Sequence, residues 1–190
     1  KEFILNEHEK LDFMICEIGG TVGDIECLPY LEAIRQIPYA IGKKKVLYVH
    51  TTFLPYLNIV DELKTKPTQH SVKALCSIGI SPDILLCRSE TRISQEEINK
   101  IALFCNISAE YVIPALNQNS IYNVPIAYHK SGFDKKVLEI LQVDNPPTAD
   151  LTRWSQISNK LDLCKRTVEI AIVGKYIKLP DAYKSLIQSL

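Results

Sequence analysis

The sequence predicts an α/β protein: a mostly parallel sheet covered by helices, followed by the opening strand and helix of a second α/β domain. Three observations carry this. Short apolar runs near 13–16, 46–51, 83–87 and 111–115 are each bounded by turn-forming or polar residues. Unbroken apolar runs mark strands covered on both faces, whereas alternation marks a half-exposed one. Between the runs, apolar residues recur at helical spacing, and alternating strand and helix is the pattern of a parallel sheet. Past residue 141 the composition changes, with Asp144, Asn145, Pro146 and Pro147 reading as a linker before a new β-branched run begins at Val168.

Composition narrows the function. Of 190 residues, 46% are hydrophobic and 23% charged, ordinary values for a globular chain. The 22 acidic and 22 basic residues cancel, so no global attraction to nucleic acid or an anionic membrane is expected, and any anion site must be built locally. No apolar run is long enough to span a bilayer, and no secretory signal is legible. The six cysteines (16, 27, 76, 87, 105 and 164) form no C-x-x-C pair and read as buried, reduced thiols, which suits a cytoplasmic protein. The four histidines have no zinc-ligand spacing.

In chain order, KEFILNEHEKLD (1–12) reads as the last turns of a helix and a charged loop. Phe13, Met14, Ile15 and Cys16 read as a strand with Glu17 at its carboxyl end. Ligands of open α/β sheets gather there, so Glu17 either holds an oxygen-liking cation or simply faces water. Gly19, Gly20 and Gly23 give a turn that lets backbone approach a ligand, and Asp24 and Glu26 stand at the mouth of a helix. Its apolar face carries Tyr30, Leu31, Ile34 and Ile41, with a break at Pro38. Lys43–Lys45 precede VLYVHTTFL, a β-branched and aromatic strand.

Residues 64–69, KTKPTQ, read as a polar loop, because Pro67 blocks helix continuation through it. Thr68 or Gln69 then opens a helix carrying Val72, Leu75 and Ile78 and ending at Gly79. Two lysines beside a helix N-terminus are parts suited to phosphate, although a solvated loop has the same composition. The next strand, 83–87, ends in Arg88 and Ser89. Ser94 and Glu97 form a capping box for a helix with Ile98, Ile101, Ala102, Phe104 and Cys105 on its apolar stripe and Lys100 off it. The strand at 111–115 runs out through Leu116 into polar Asn117–Asn119, and 121–141 reads as helical with an interruption at Ser131 and Gly132. Glu17, Arg88 and Asn117 are expected on one rim of the sheet. Residues 142–167 form a linker with an amphipathic helix bearing Trp154, and 168–190 hold a strand, a Gly-Lys turn and a helix.

Six segments together carry a family resemblance: EIGGTVGDIE (17–26), LPYLEAIRQ (28–36), KTKPTQHSV (64–72), IGISPDILLCRS (78–89), KIALFCN (100–106) and VGKYIKLPDAYKS (173–185). In order and spacing they resemble the CTP synthases, of the bacterial type. The resemblance implies a Rossmann-like, P-loop synthetase (amidoligase) fold. Residues 1–141 would be the C-terminal part of that domain and 168–190 the start of a glutamine amidotransferase domain. It implies an ATP-dependent ligase of pyrimidine biosynthesis, in which ATP phosphorylates the 4-oxygen of UTP and ammonia from glutamine displaces the phosphate to give CTP. Position by position, Glu17 resembles the acidic ligand of Mg2+, which accompanies ATP. Asp24, Ile25 and Glu26 resemble the allosteric CTP-contacting turn. Lys64, Thr65, Lys66, Pro67, Thr68, Gln69 and Lys100 resemble the UTP/CTP site, and Arg88, Leu116, Asn117 and Gln118 fall where ATP is held. Asn117 departs from an aspartate common in bacterial relatives, which leaves its contact with adenine open.

Further implications are glutamine and GTP as ligands of the glutaminase domain, and a homotetramer. No G-x-x-x-x-G-K-[ST] and no G-x-C-x-G occurs in the 190 residues. The resemblance places the phosphate loop before residue 1 and the glutaminase nucleophile beyond Leu190, so the chain alone is expected to be inactive. A second reading is a truncated, non-catalytic relative that binds nucleotide or assembles with full-length subunits.

Overall fold

A computed structural model describes residues 1–7 and 11–190; residues 8–10 of the stretch 1–12, expected as a helix end and charged loop, lie outside them. The chain divides into two compact units, Lys1–Asn117 with Ala127–Thr148, and Gln118–Ile126 with Ala149–Leu190.

The first unit is built on a parallel sheet of β1 (Val49–Phe53), β4 (Ile84–Ser89) and β5 (Val112–Leu116), in the order β1-β4-β5. A short antiparallel pair, β2 (Tyr56–Leu57) and β3 (Glu62–Leu63), follows β1. On β4 the unbroken apolar run does become a doubly covered strand. On β4, Leu85 and Cys87 face a cluster with Val72 of helix α4 (Lys66–Ser77) and Ile101, Ala102 and Cys105 of α5 (Gln95–Cys105). The alternate residues Ile84 and Leu86 face the other way, toward Tyr128 of α6 (Val124–Lys130) and Phe133, Val137 and Ile140 of α7 (Phe133–Ile140). Ile84, Leu85 and Cys87 are fully buried, and each of the two aliphatic side chains is worth about 1.5–3 kcal/mol of burial. A third cluster joins Leu31 of α2 (Leu28–Arg35) to Leu75, Ile80 and Cys27.

Helix boundaries follow local chemistry. Ser94 accepts from the Glu97 amide, and the Glu97 carboxylate accepts from Ser94 N, so the expected capping box opens α5. The helix 28–41 breaks at Gln36, with Pro38 opening α3 (Ile37–Ile41), and the helical stretch after 121 breaks at Gly132. Helix α1 (Glu2–Glu7) forms at the start of the chain. In the second unit, Tyr122 packs on Trp154 of α8 (Thr152–Leu163), ring centroids 6.2 Å apart, and its hydroxyl donates to the Gln188 carbonyl of α9 (Lys184–Ser189). Among the described residues no helix is long and apolar enough to cross a membrane.

Several sequence expectations are corrected. Residues 13–16 form no strand, and Phe13, Ile15 and Cys16 are exposed. Among the described residues β1 pairs with β4 alone, and an apolar segment without a ladder neighbour and covering layers gains nothing from extended geometry. The same holds at 168–173, where Val168 and Val173 are exposed and no strand forms. Helix α4 begins at Lys66, not at Thr68 or Gln69. Pro67 lies in the first turn, where its missing N–H has no intrahelical partner to lose. Phe104 points away from the core at 62% exposure, since α5 buries only the stripe from Ile98 through Ile101, Ala102 and Cys105. Three cysteines, Cys16, Cys76 and Cys164, are exposed.

Candidate functional site: the carboxyl rim of the sheet

Parallel strands bring their carboxyl ends to one rim. In register, Phe53 stands beside Arg88, and Arg88 beside Ala115. Beyond β1 the Leu54 amide donates to the Arg88 carbonyl at 2.8 Å, and β5 leaves through Asn117, whose amide donates to the Ser89 carbonyl at 3.1 Å. Arg88 and Asn117 are therefore neighbours at adjacent strand ends, both exposed. Ser89 is fully buried, and its hydroxyl accepts from Thr91 N at 3.2 Å. Gln118 begins the second unit.

The segment expected as a loop is a strand end and a helix start. Lys64 follows β3 with its amide donating to the Pro55 carbonyl at 2.9 Å. Thr65 caps α4 as a 4% exposed residue whose hydroxyl accepts from Gln69 Nε2 at 3.0 Å. Thr68 is fully buried and donates to Thr52 Oγ1 at 3.0 Å. Lys66 and Pro67 are exposed. The side chains of Thr65 and Thr68 thus serve the fold, while Lys64 is half-exposed and Lys66 faces solvent.

One grouping was not legible in sequence. Lys64 donates to Glu62, and this contact holds the Glu62 carboxyl below the usual carboxylate range; the Lys64 charge adds to that, burial opposes it, and the charge of Lys100 contributes last. The signal for Glu62 was its i, i+2 relation to Lys64 at the end of a strand, which puts both on one side. Thr52 and Asp83 were likewise unmarked; the Asp83 carboxylate accepts from Tyr48 N at 2.8 Å, and burial raises its carboxyl above the ordinary value.

The acidic turn lies at the other cluster. Ile18 and Val22 pack with Cys27 and Leu31, and the Cys27 thiol donates to the Gly19 carbonyl at 3.0 Å. Gly20 has φ +88°, and a Cβ there would stand 2.6 Å from Cys27 Sγ. Asp24 accepts from Thr21 N at 3.0 Å and precedes a 3-10 turn, Ile25–Cys27. Asp24, Ile25 and Glu26 are exposed, Ile25 at 86%.

Glu17 is an exposed carboxylate, and among the described residues no three His, Cys, Asp or Glu side chains gather to hold a metal. A lone carboxylate does not fit an all-protein metal cage. It fits Mg2+, which keeps several waters and is shared between one or two carboxylates and phosphate oxygens. In the second unit a cavity of about 320 Å³ is lined by Asn119, Ser120, Asn123, Ser158 and Leu161. It presents no charged group, so it is no seat for a triphosphate.

The family model for the CTP synthase N-terminus matches residues 1–143. The chain is 56% identical over its full length to a CTP synthase of Rickettsia peacockii (strain Rustic), 53% to one of Brucella anthropi and 52% to one of Paracoccus denitrificans (strain Pd 1222). It spans 35% of the length of each of these curated relatives.

Proposed function

Because the chain belongs to the CTP synthase N-terminal family, we propose that it forms the pyrimidine-nucleotide-holding part of a CTP synthase. UTP is converted to CTP in two steps. The 4-oxygen of UTP attacks the γ-phosphoryl group of ATP, releasing ADP; ammonia from glutamine then adds at the same carbon, and the phosphorylated oxygen leaves as inorganic phosphate. The observation that carries this reading is the Lys64–Glu62 ion pair directly before the first turn of α4. The Lys64 ammonium is already paired with a carboxylate, and a phosphate chain brings more charge than Glu62 and competes for it, with exposed Lys100 as a further cation of the proposed site. Lys66, exposed at the start of α4, adds a third cation beside the positive end of the helix.

Asp24 and Glu26 would repel a phosphate, so in this reading they address the ribose or base of CTP, with Ile25 offering an apolar face between them. Arg88, Leu116, Asn117 and Gln118 take the ATP end. Glu17 holds Mg2+, which when bound neutralises triphosphate charge. The chain's own residues bind and orient, the main demand of phosphoryl transfer. Glutamine, GTP and a homotetrameric assembly belong to the same reading.

Calorimetric titration with UTP and CTP of the complete polypeptide that carries these residues tests it. Lys64→Ala and Lys100→Ala are expected to weaken both nucleotides, and Glu26→Ala to weaken CTP alone. Unchanged affinity in all three variants overturns the assignment. The 190 residues by themselves are expected to form no CTP from UTP, ATP and ammonia; turnover by the purified chain contradicts that division of labour.

A further inference from the structure

Helix α4 is fastened to β1 by buried hydroxyls. Thr68 donates to Thr52 Oγ1 at 3.0 Å, with the Phe53 carbonyl as a second acceptor at 3.4 Å. Thr52, 6% exposed, in turn donates to the sulfur of Cys87, its register partner on β4, at 3.7 Å. Each donor thus meets an acceptor from the first turn of the helix to the centre of the sheet, and a thiol sulfur is a weak acceptor suited to end such a run. One turn farther along α4, Ser71 Oγ lies 2.8 Å from Nε2 of His50. The ties step forward on the helix (68, 71) as they step back on the strand (52, 50), so they fix the rotation and height of α4 on β1.

The residues flanking Thr68 in that turn are those assigned above to the pyrimidine nucleotide. We propose that Thr52 is a positioning residue for the pyrimidine nucleotide: through Thr68 it sets the first turn of α4, and with it the placement of Lys64, Lys66 and Gln69. This rests on the reading of 64–69 as the UTP/CTP site. Thr52 touches no ligand. Without its hydroxyl, Thr68 still has the Phe53 carbonyl, so the helix stays docked while its first turn shifts toward the longer bond. The effect therefore falls on nucleotide affinity more than on folding.

The test is calorimetry with UTP, CTP and ATP, alongside the thermal midpoint, on the complete polypeptide carrying Thr52→Val or Thr52→Ser. Thr52→Val is expected to weaken UTP and CTP about fivefold, the scale of one neutral hydrogen bond. ATP affinity and the midpoint stay close to the parent, and Thr52→Ser, which keeps the hydroxyl, restores UTP and CTP. Unaltered UTP and CTP affinity overturns the proposal, as does a parallel loss of UTP, ATP and stability. If Thr52→Val does not fold, Thr52→Ala must show the same split between UTP and ATP, and its failure to do so overturns the proposal. Lys64→Ala separates the two levels. If it leaves UTP binding intact, the site reading falls; if it weakens UTP while Thr52→Val does not, only the role of Thr52 falls.

Discussion

Nε2 of His50 on β1 lies 2.8 Å from the hydroxyl of Ser71 on α4, and burial holds the imidazole below its ordinary value of 6.5. A neutral ring is thus favoured in the folded chain. Between the lowered folded pKa and 6.5 the unfolded chain binds more protons than the folded one, so stability rises with pH through that window and is lost as pH falls through it. Urea unfolding midpoints are expected to be lower at pH 5.5 than at pH 7.5, and His50→Gln, which does not titrate, to show a smaller difference. An equal pH dependence in the variant removes His50 from the account.

Asp83 titrates with the opposite sign. Burial, its largest influence, raises the carboxyl, and the Tyr48 amide bond and the Lys43 charge only partly oppose this. Its charged form is therefore a cost that appears as pH rises above the ordinary value of 3.8. The bond still matters, because Tyr48 N has Asp83 Oδ2 as its acceptor while Asp83 N donates back to the Tyr48 carbonyl at 2.8 Å. Asp83→Ala is expected to cost about 1–3 kcal/mol by orphaning a part-buried amide. Asp83→Asn keeps an acceptor and costs less. Chemical denaturation at pH 7 orders the three chains, and an Asn variant as weak as the Ala variant contradicts the bond.

Legibility in sequence followed the locality of the cause. The capping box at Ser94 and Glu97 and the break at Gly132 depend on a few adjacent residues, and both appear where the sequence puts them. β4 and β5 were legible because runs such as Ile84–Cys87 require cover on both faces wherever they sit. Phe13–Cys16 has the same composition but no paired neighbour, and a strand is a statement about pairing, which a single segment does not contain. At the candidate site, Lys64 was singled out by its place beside a helix N-terminus and Lys100 by resemblance, whereas the pairing of Glu62 with Lys64 and the place of Thr52 beneath Thr68 emerge only from the folded arrangement.

Thiol chemistry distinguishes the buried cysteines from the exposed ones. Burial pushes the Cys87 and Cys105 thiols up to about 11, so neither supplies thiolate at neutral pH, and Cys27 is buried with its thiol bonded to Gly19. Cys16, Cys76 and Cys164 are exposed. Brief N-ethylmaleimide treatment of the native chain followed by peptide mass spectrometry is expected to label those three, with the other three labelled only after denaturation. Rapid native labelling of Cys87 is incompatible with the packed β1–β4 face.

The turn before Asp24 depends on Gly20 for two separable reasons. Its φ of +88° is unfavourable for any residue with a Cβ, and that Cβ would also meet Cys27 Sγ at 2.6 Å. Gly20→Ala therefore combines backbone strain of about 1–2 kcal/mol with a clash against a buried thiol. Pairing it with Cys27→Ala removes the clash and leaves the strain, so a double-mutant cycle isolates the two. The double variant is expected to be more stable than the sum of the single changes and still less stable than Cys27→Ala alone. Strict additivity in urea denaturation means that the Gly20–Cys27 approach does not shape this turn. Because Asp24 and Glu26 follow directly, CTP affinity is expected to fall with Gly20→Ala and to recover only in part in the double variant.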